Sequence, residues 1–200
     1  MIQSAFKLWL IPKIWRRARL VAIHQPEKPL GDPKSYCPTP LLCVTIKIHE
    51  RIICARVETI TDPLLPQEQA GFRHGRSAAD QVTLLTQDIE YSVSAKKDAG
   101  AVFVTLTAAY DNIWHHRFTC KLLQLLSDRH MVHMIMEMVG NRRFTPTTGN
   151  GKRSRLRRLK NSVPQGSVLA PLLFNIYISD LPTTFSTYAE DLASMHADGD

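Results

Sequence analysis

Residues Val163 to Asp191 read VPQGSVLAPLLFNIYISDLPTTFSTYAED, and no other stretch constrains the fold of this chain as strongly. A Pro-Gln-Gly-Ser turn opens it and a long apolar run follows. Two adjacent carboxylates, Glu190 and Asp191, close it at a polar turn. The apolar run from Ser167 to Ile178 predicts a buried helix. Pro171 is tolerated near its start, where a missing N–H costs no helical hydrogen bond. Two neighbouring carboxylates are costly unless a cation lies between them or water surrounds them.

The rest of the chain alternates helical patterns with short extended ones. The N-terminus carries Lys7, Lys13, Arg16, Arg17 and Arg19 before its first acidic residue, Glu27. This resembles a transit peptide, but it lacks a small-residue cleavage site and reads as a basic amphipathic lead-in. Pro26, Pro29, Pro33, Pro38 and Pro40 predict an extended loop over residues 26–40. Leu42, Ile46, Ile53 and Val57 recur at helical spacing, and Asp62-Pro63 breaks the pattern. Ser77 can cap a further helix with Asp80 in its first turn. Val82, Leu85, Ile89 and Val93 form an apolar stripe along that helix. Ala101 to Leu106, rich in β-branched and aromatic residues, predicts a buried strand. Phe118, Leu122, Leu125 and Leu126 predict another helix, and Val132 to Val139 a further one. Lys152 to Lys160 carries six basic residues in nine positions and, after Gly149 and Gly151, reads as a surface strand pair. Helices mixed with short strands imply an α+β layered fold.

Two hundred residues with a hydrophobic fraction of 44% are enough for one medium domain or two small lobes with a core. The net charge of +7 favours an anionic partner, of which nucleic acid is the commonest. Cys37, Cys43, Cys54 and Cys120 form no C-x-x-C pair, so neither a zinc site nor a disulfide framework is indicated. A reducing, intracellular setting, cytoplasmic or nuclear, is expected. No apolar run is long enough to cross a bilayer, so no membrane role is expected. The histidine pair His130 and His133 shares a helix face, where packing or surface roles compete with metal binding.

Five blocks, in order, resemble the reverse transcriptase of LINE-type (non-LTR) retrotransposons. They are Asp32-Pro33-Lys34-Ser35-Tyr36 with Pro38 and Leu41-Leu42, and Leu65-Pro66-Gln67-Glu68-Gln69-Ala70-Gly71-Phe72-Arg73 with Gly75-Arg76-Ser77. The third is VFVTLTAAYDNIWH from Val102 to His115. Val163 to Asp180 and Tyr188 to Asp191 complete the set. The resemblance implies a right-hand polymerase fragment with short antiparallel palm strands packed on helices. Residues 1–98 are then mainly fingers and 99–200 mainly palm. It also implies an RNA template, a DNA primer and dNTP as substrates, and Mg²⁺ as cofactor. Two metal ions suit such chemistry, because one activates the attacking oxygen and both stabilise charge on the phosphate. By the resemblance Glu190 and Asp191 are the catalytic, metal-binding carboxylates. Arg73 and Arg76 meet phosphates, with a solvated basic loop as the alternative. Tyr110 lies under the sugar, with core packing as the alternative, and Gln165 and Gly166 let the backbone approach the nascent pair.

The chain departs from that pattern where the chemistry is most demanding. Thr105 occupies the position of a metal-binding aspartate, and a neutral hydroxyl cannot supply its charge. Asp111, six residues on, does not replace it. Glu190 stands where the pattern has aspartate. Its extra methylene moves the oxygens by about a bond length, while catalytic geometry tolerates only about 0.5 Å. The segment before Tyr188 is about three residues shorter than in the family, which would displace that strand. Cys37 and Gln25 replace an arginine and a lysine. The chain also stops just after the carboxylate turn, so thumb and endonuclease are expected to be absent. These departures imply a degenerate reverse transcriptase that does not polymerise DNA by itself. A non-catalytic RNA- or DNA-binding remnant and an unstable product with no molecular role are the alternatives.

Overall fold

The computed structural model describes residues 2–97, 99–101, 103–106, 109–140, 142–147, 154–158, 163–164 and 166–181. Its helices follow the apolar periodicity closely. Helix α1 spans Ile2–Leu8 and α2 spans Val44–Thr61, with Ile46, Ile53 and Val57 buried on one face. Pro63, which has no N–H to donate, lies in the short 3₁₀ turn Asp62–Leu64 that ends α2. Helix α3 covers Ala78–Ser94 and α4 covers His115–Leu125, burying Phe118 and Leu122. Helix α5 runs Arg129–Val139, and the Asp128 carboxylate accepts from the His130 and Met131 amides at its start. It ends at Gly140, where a Cβ would lie 2.9 Å from the Met136 carbonyl oxygen. Helix α6, Ala170–Tyr177, buries Leu172, Leu173 and Ile176, with Pro171 in its first turn.

The strands follow a different logic. A four-stranded sheet has the order β2-β1-β3-β4, with β1 at Arg17–His24, β2 at Tyr36–Leu41, β3 at Arg143–Thr147 and β4 at Arg157–Arg158. Strand β1 runs antiparallel to β2 and parallel to β3, and β3 runs antiparallel to β4. The sheet therefore joins chain segments more than a hundred residues apart, such as Arg17 and Arg143. The proline-rich loop expected over 26–40 ends in a strand instead. Pro38 and Pro40 fit β2 because alternate residues turn their nitrogens to the same side and β2 is an edge strand. Of the basic run Lys152–Lys160, read as a surface strand pair, the described residues form only the short strand β4, which pairs with β3 ahead of the run.

Two expectations fail. The described residues of 101–106 are not a strand and are not buried; Phe103 is 84% exposed. A strand is stabilised by its ladder, and no described strand pairs with this segment. The stripe Val82, Leu85, Ile89 and Val93 lies on α3 as expected, yet α3 buries no residue. That helix rests on local stabilisation: the Ser77 hydroxyl accepts from the Asp80 amide, while the Asp80 carboxylate accepts from the Ser77 amide at 2.7 Å.

The core lies between α2, α4, α5 and α6, and polar groups are sealed within it. The fully buried Glu50 carboxylate accepts from Arg142 Nη2 at 2.6 Å and from the Val168 amide at 2.8 Å. Arg142 also donates from Nε to the Met138 carbonyl. The neighbouring His49 is equally buried, 4.3 Å from the Phe6 ring centroid, with its Nε2 3.1 Å from Met134 Sδ. Burial holds its pKa below the ordinary 6.5, against an opposing pull from Glu50.

Glu50→Ala leaves the Arg142 charge buried without its partner, so we expect a loss of about 3–5 kcal/mol in urea unfolding. Glu50→Met with Arg142→Met should recover most of it. His49 sets a pH dependence as well. In the unfolded chain it takes up a proton near pH 6.5, whereas in the fold it resists one, so stability falls as pH drops below about 6.5. Denaturation midpoints between pH 7.5 and 5.5 should show this fall, and His49→Leu should flatten it.

Candidate active-site region

The Pro-Gln-Gly turn is clamped on three sides. The Val163 amide donates to the Tyr110 carbonyl at 3.0 Å, and the Ser167 amide to the Pro164 carbonyl at 3.1 Å. The Val168 amide donates to Glu50. Gly166 has φ +81°, a left-handed conformation that glycine adopts without steric cost, and a Cβ there would meet the Pro40 carbonyl of β2 at 3.4 Å. Gln165 lies outside the described residues, as do Glu190 and Asp191.

Helix α6 touches Tyr110 and the loop that carries Arg73 and Arg76. Tyr110 is half-buried, its ring centroid 5.0 Å from that of Phe174, and burial raises its phenol pKa. Asn175 is buried and donates from Nδ2 to the Gly71 carbonyl at 2.8 Å, while Gln69 donates to the Asn175 carbonyl at 3.2 Å. These bonds tether the loop that carries Arg73 and Arg76. Arg73 is turned inward. It donates from Nε to the Asp62 carboxylate at 2.8 Å, from Nη1 to the Pro66 and Gln69 carbonyls, and from Nη2 to the Asp62 carbonyl. The hydrogen bond and charge of Arg73 hold the Asp62 carboxyl below the usual carboxylate range. Arg76, more exposed, donates to the Gln67 carbonyl. Arg73 thus orders the loop, and Arg76 is the more accessible cation of the two.

Thr105 is exposed and lines an open pocket of about 320 Å³ with Asn112, Arg117, Phe174, Tyr177 and Asp180. Lys121 Nζ donates to Asp180 Oδ1 at 2.6 Å and to the Tyr177 carbonyl at 2.5 Å, and Arg117 donates to Asp180 Oδ2 at 2.9 Å. Burial pushes the Asp180 carboxyl upward, but the bonds and charges of Lys121 and Arg117 outweigh it and hold it low. Sequence reasoning missed this cluster. Its signal is the spacing of Arg117 and Lys121, one helical turn apart on α4.

Mg²⁺ takes hard, preferably anionic oxygen ligands. Among the described residues of this pocket, Thr105 offers a neutral hydroxyl, and the one carboxylate, Asp180, is bridged by two cations. This donor set does not fit a divalent metal. The expected metal-binding pair Glu190 and Asp191 lies outside the described residues. Among the described residues no group of three His, Cys, Asp or Glu side chains could hold a metal; His130 instead stacks on Trp9 at 5.0 Å.

Residues 25–198 match the family described as reverse transcriptase (RNA-dependent DNA polymerase). The chain belongs to the reverse transcriptase family. Its relatives place it in the LINE-type, non-LTR branch. Over 97% of its length it is 33% identical to a probable RNA-directed DNA polymerase from transposon BS of Drosophila melanogaster. Over 96% it is 29% identical to the RNA-directed DNA polymerase from the mobile element jockey of the same species. Over 86% it is 24% identical to a retrovirus-related Pol polyprotein from a type-1 retrotransposable element R2 of Popillia japonica. The chain spans 23%, 22% and 24% of those relatives. Helices with a small mixed sheet suit a fingers and palm segment of a reverse transcriptase. No helix among the described residues is long and apolar enough to cross a membrane.

Asn175 is one tether of this reverse transcriptase loop, beside Gln69 and Arg73. Asn175→Leu leaves the Gly71 carbonyl without its donor, so we expect a loss of about 1–3 kcal/mol in chemical denaturation. Amide exchange across residues 69–76 should quicken in the same variant.

Proposed function

We propose that this chain is a reverse transcriptase domain directed at an RNA template and DNA primer that does not itself transfer nucleotides. One observation carries the reading: Thr105 faces a pocket whose described carboxylate is already neutralised by Arg117 and Lys121. Nucleotidyl transfer needs metal-held negative oxygens close to the reacting phosphate. Thr105 supplies none, and Glu190 and Asp191 would be half of an ancestral Mg²⁺ site. Removing one neutral transition-state donor costs about 3 kcal/mol, roughly a hundredfold in rate, and a charged metal ligand costs no less. Arg76, Tyr110, Gln165 and Gly166 would still approach a nucleotide, with Arg73 shaping the loop beneath them. The basic balance of the chain supports a nucleic-acid partner.

Primer extension on an RNA template with Mg²⁺ or Mn²⁺ tests this reading. The expected result is no incorporation above background, with no change on Asp191→Ala. Metal-dependent incorporation that disappears in Asp191→Ala would overturn it.

A further inference from the structure

Three adjacent arginine pairs, Arg16-Arg17, Arg142-Arg143 and Arg157-Arg158, converge on the sheet. Side chains alternate between the two faces of a strand, so each pair is split. The first member of two pairs turns inward. Arg16 donates to the Ile11 carbonyl and pairs with Glu137, and Arg142 pairs with Glu50. The second members fall into line across the sheet. Arg17 is the Cα partner of Arg143 on one side, and Arg143 is the partner of Arg158 on the other. All three are exposed. The same register sets Ala18 against Phe144; Ala18 is buried and Phe144 packs on the core, so the arginine row lies on the outer face. Arg19, two residues along β1 and likewise exposed, adds a fourth cation to that face.

This arrangement is unfavourable on its own, because like charges directly opposite one another on neighbouring strands repel. Nothing within the sheet relieves it. The four strands contain no aspartate or glutamate, and among the described residues none of these four arginines forms an ion pair. With strands about 4.8 Å apart, the row from Arg17 to Arg158 spans roughly 10 Å. A nucleic-acid strand places a charge about every 3.4 Å of rise, so two or three successive phosphates can face the row at once. Guanidinium groups suit phosphate through paired N–H donors.

We propose that the outer face of this sheet is a phosphate-backbone site, with Arg17, Arg143 and Arg158 as a cross-strand ladder and Arg19 beside it. The ligand class is single-stranded RNA or DNA, read by charge and not by base. The proposal rests on the nucleic-acid partner of the preceding reading but not on its inactive pocket.

The test measures binding of a fluorescein-labelled 20-nucleotide single-stranded RNA by anisotropy across a salt series. The ladder variant carries Arg17→Gln, Arg143→Gln and Arg158→Gln. A control carries Lys47→Gln, Arg51→Gln and Lys96→Gln, which removes the same charge from exposed helix and turn positions. The ladder variant should bind at least tenfold more weakly, with a log–log salt slope shallower by about 2, and the control should change little. The single variant Arg143→Gln, which perturbs the sheet least, should lower the slope by about 0.7. Circular dichroism and a thermal transition confirm that each variant is folded. Equal losses in ladder and control variants, or an unchanged slope, would overturn the ladder while leaving a nucleic-acid partner intact. Absence of any RNA binding by the unmodified chain would overturn that partner as well. Equal affinity for polyglutamate would assign the face to acidic polypeptides and overturn the proposal.

Discussion

The buried Glu50 carboxylate is the contact on which the other parts of this structure depend. It sits in the middle of α2 and accepts from Arg142, just before β3, and from Val168, at the end of the Pro-Gln-Gly turn. Three segments distant in sequence are thereby fixed to one another by charge-assisted bonds in the buried interior. Each partner also solves a problem for the other. The carboxylate would be costly to bury without a cation, and Arg142 without an anion. The Val168 amide, at a helix entry, gains an acceptor that no helical carbonyl supplies. The contact links α2 to the residue that leads into β3 and to the turn that leads into α6.

Helix α6 then acts as the hub of the candidate site. Its residues reach different blocks: Phe174 meets Tyr110, Asn175 holds the Gly71 loop, and the Tyr177 carbonyl anchors Lys121. The polar residue Asn175 is tolerated in this apolar helix because its amide is used on a loop carbonyl. Several of the reverse transcriptase blocks are therefore assembled around this one helix. Arg117 and Lys121 on α4 both pair with Asp180, just past the end of α6, and so tie the two helices together.

Much of the fold is legible in the amino-acid sequence. The helical periodicity at Ile46, Ile53 and Val57 and at Phe118 and Leu122 located real core faces, because burial along a helix must recur every three to four residues. The capping residue Ser77 and the stop at Asp62-Pro63 were readable because they act within a few residues. The ordered blocks pointed to the family to which the chain belongs. Arg73 was recognisable as a special arginine, although its inward use on Asp62 and on backbone carbonyls was not.

What only the tertiary structure decided was everything set by pairing across distance. Pro38 and Pro40 argue locally for a loop, and their edge position beside β1 makes them a strand. The run from Ala101 to Leu106 argues locally for a strand, and the described part of it has no ladder to join. The same rule governs charge. The sequence by itself determined how many arginines there are and that neighbours in a strand face opposite ways. Which of them became buried partners of Glu50 and Glu137, and which were aligned on one exposed row, depended on strand register. Register is a property of two segments brought together, so neither segment's own residues can specify it alone.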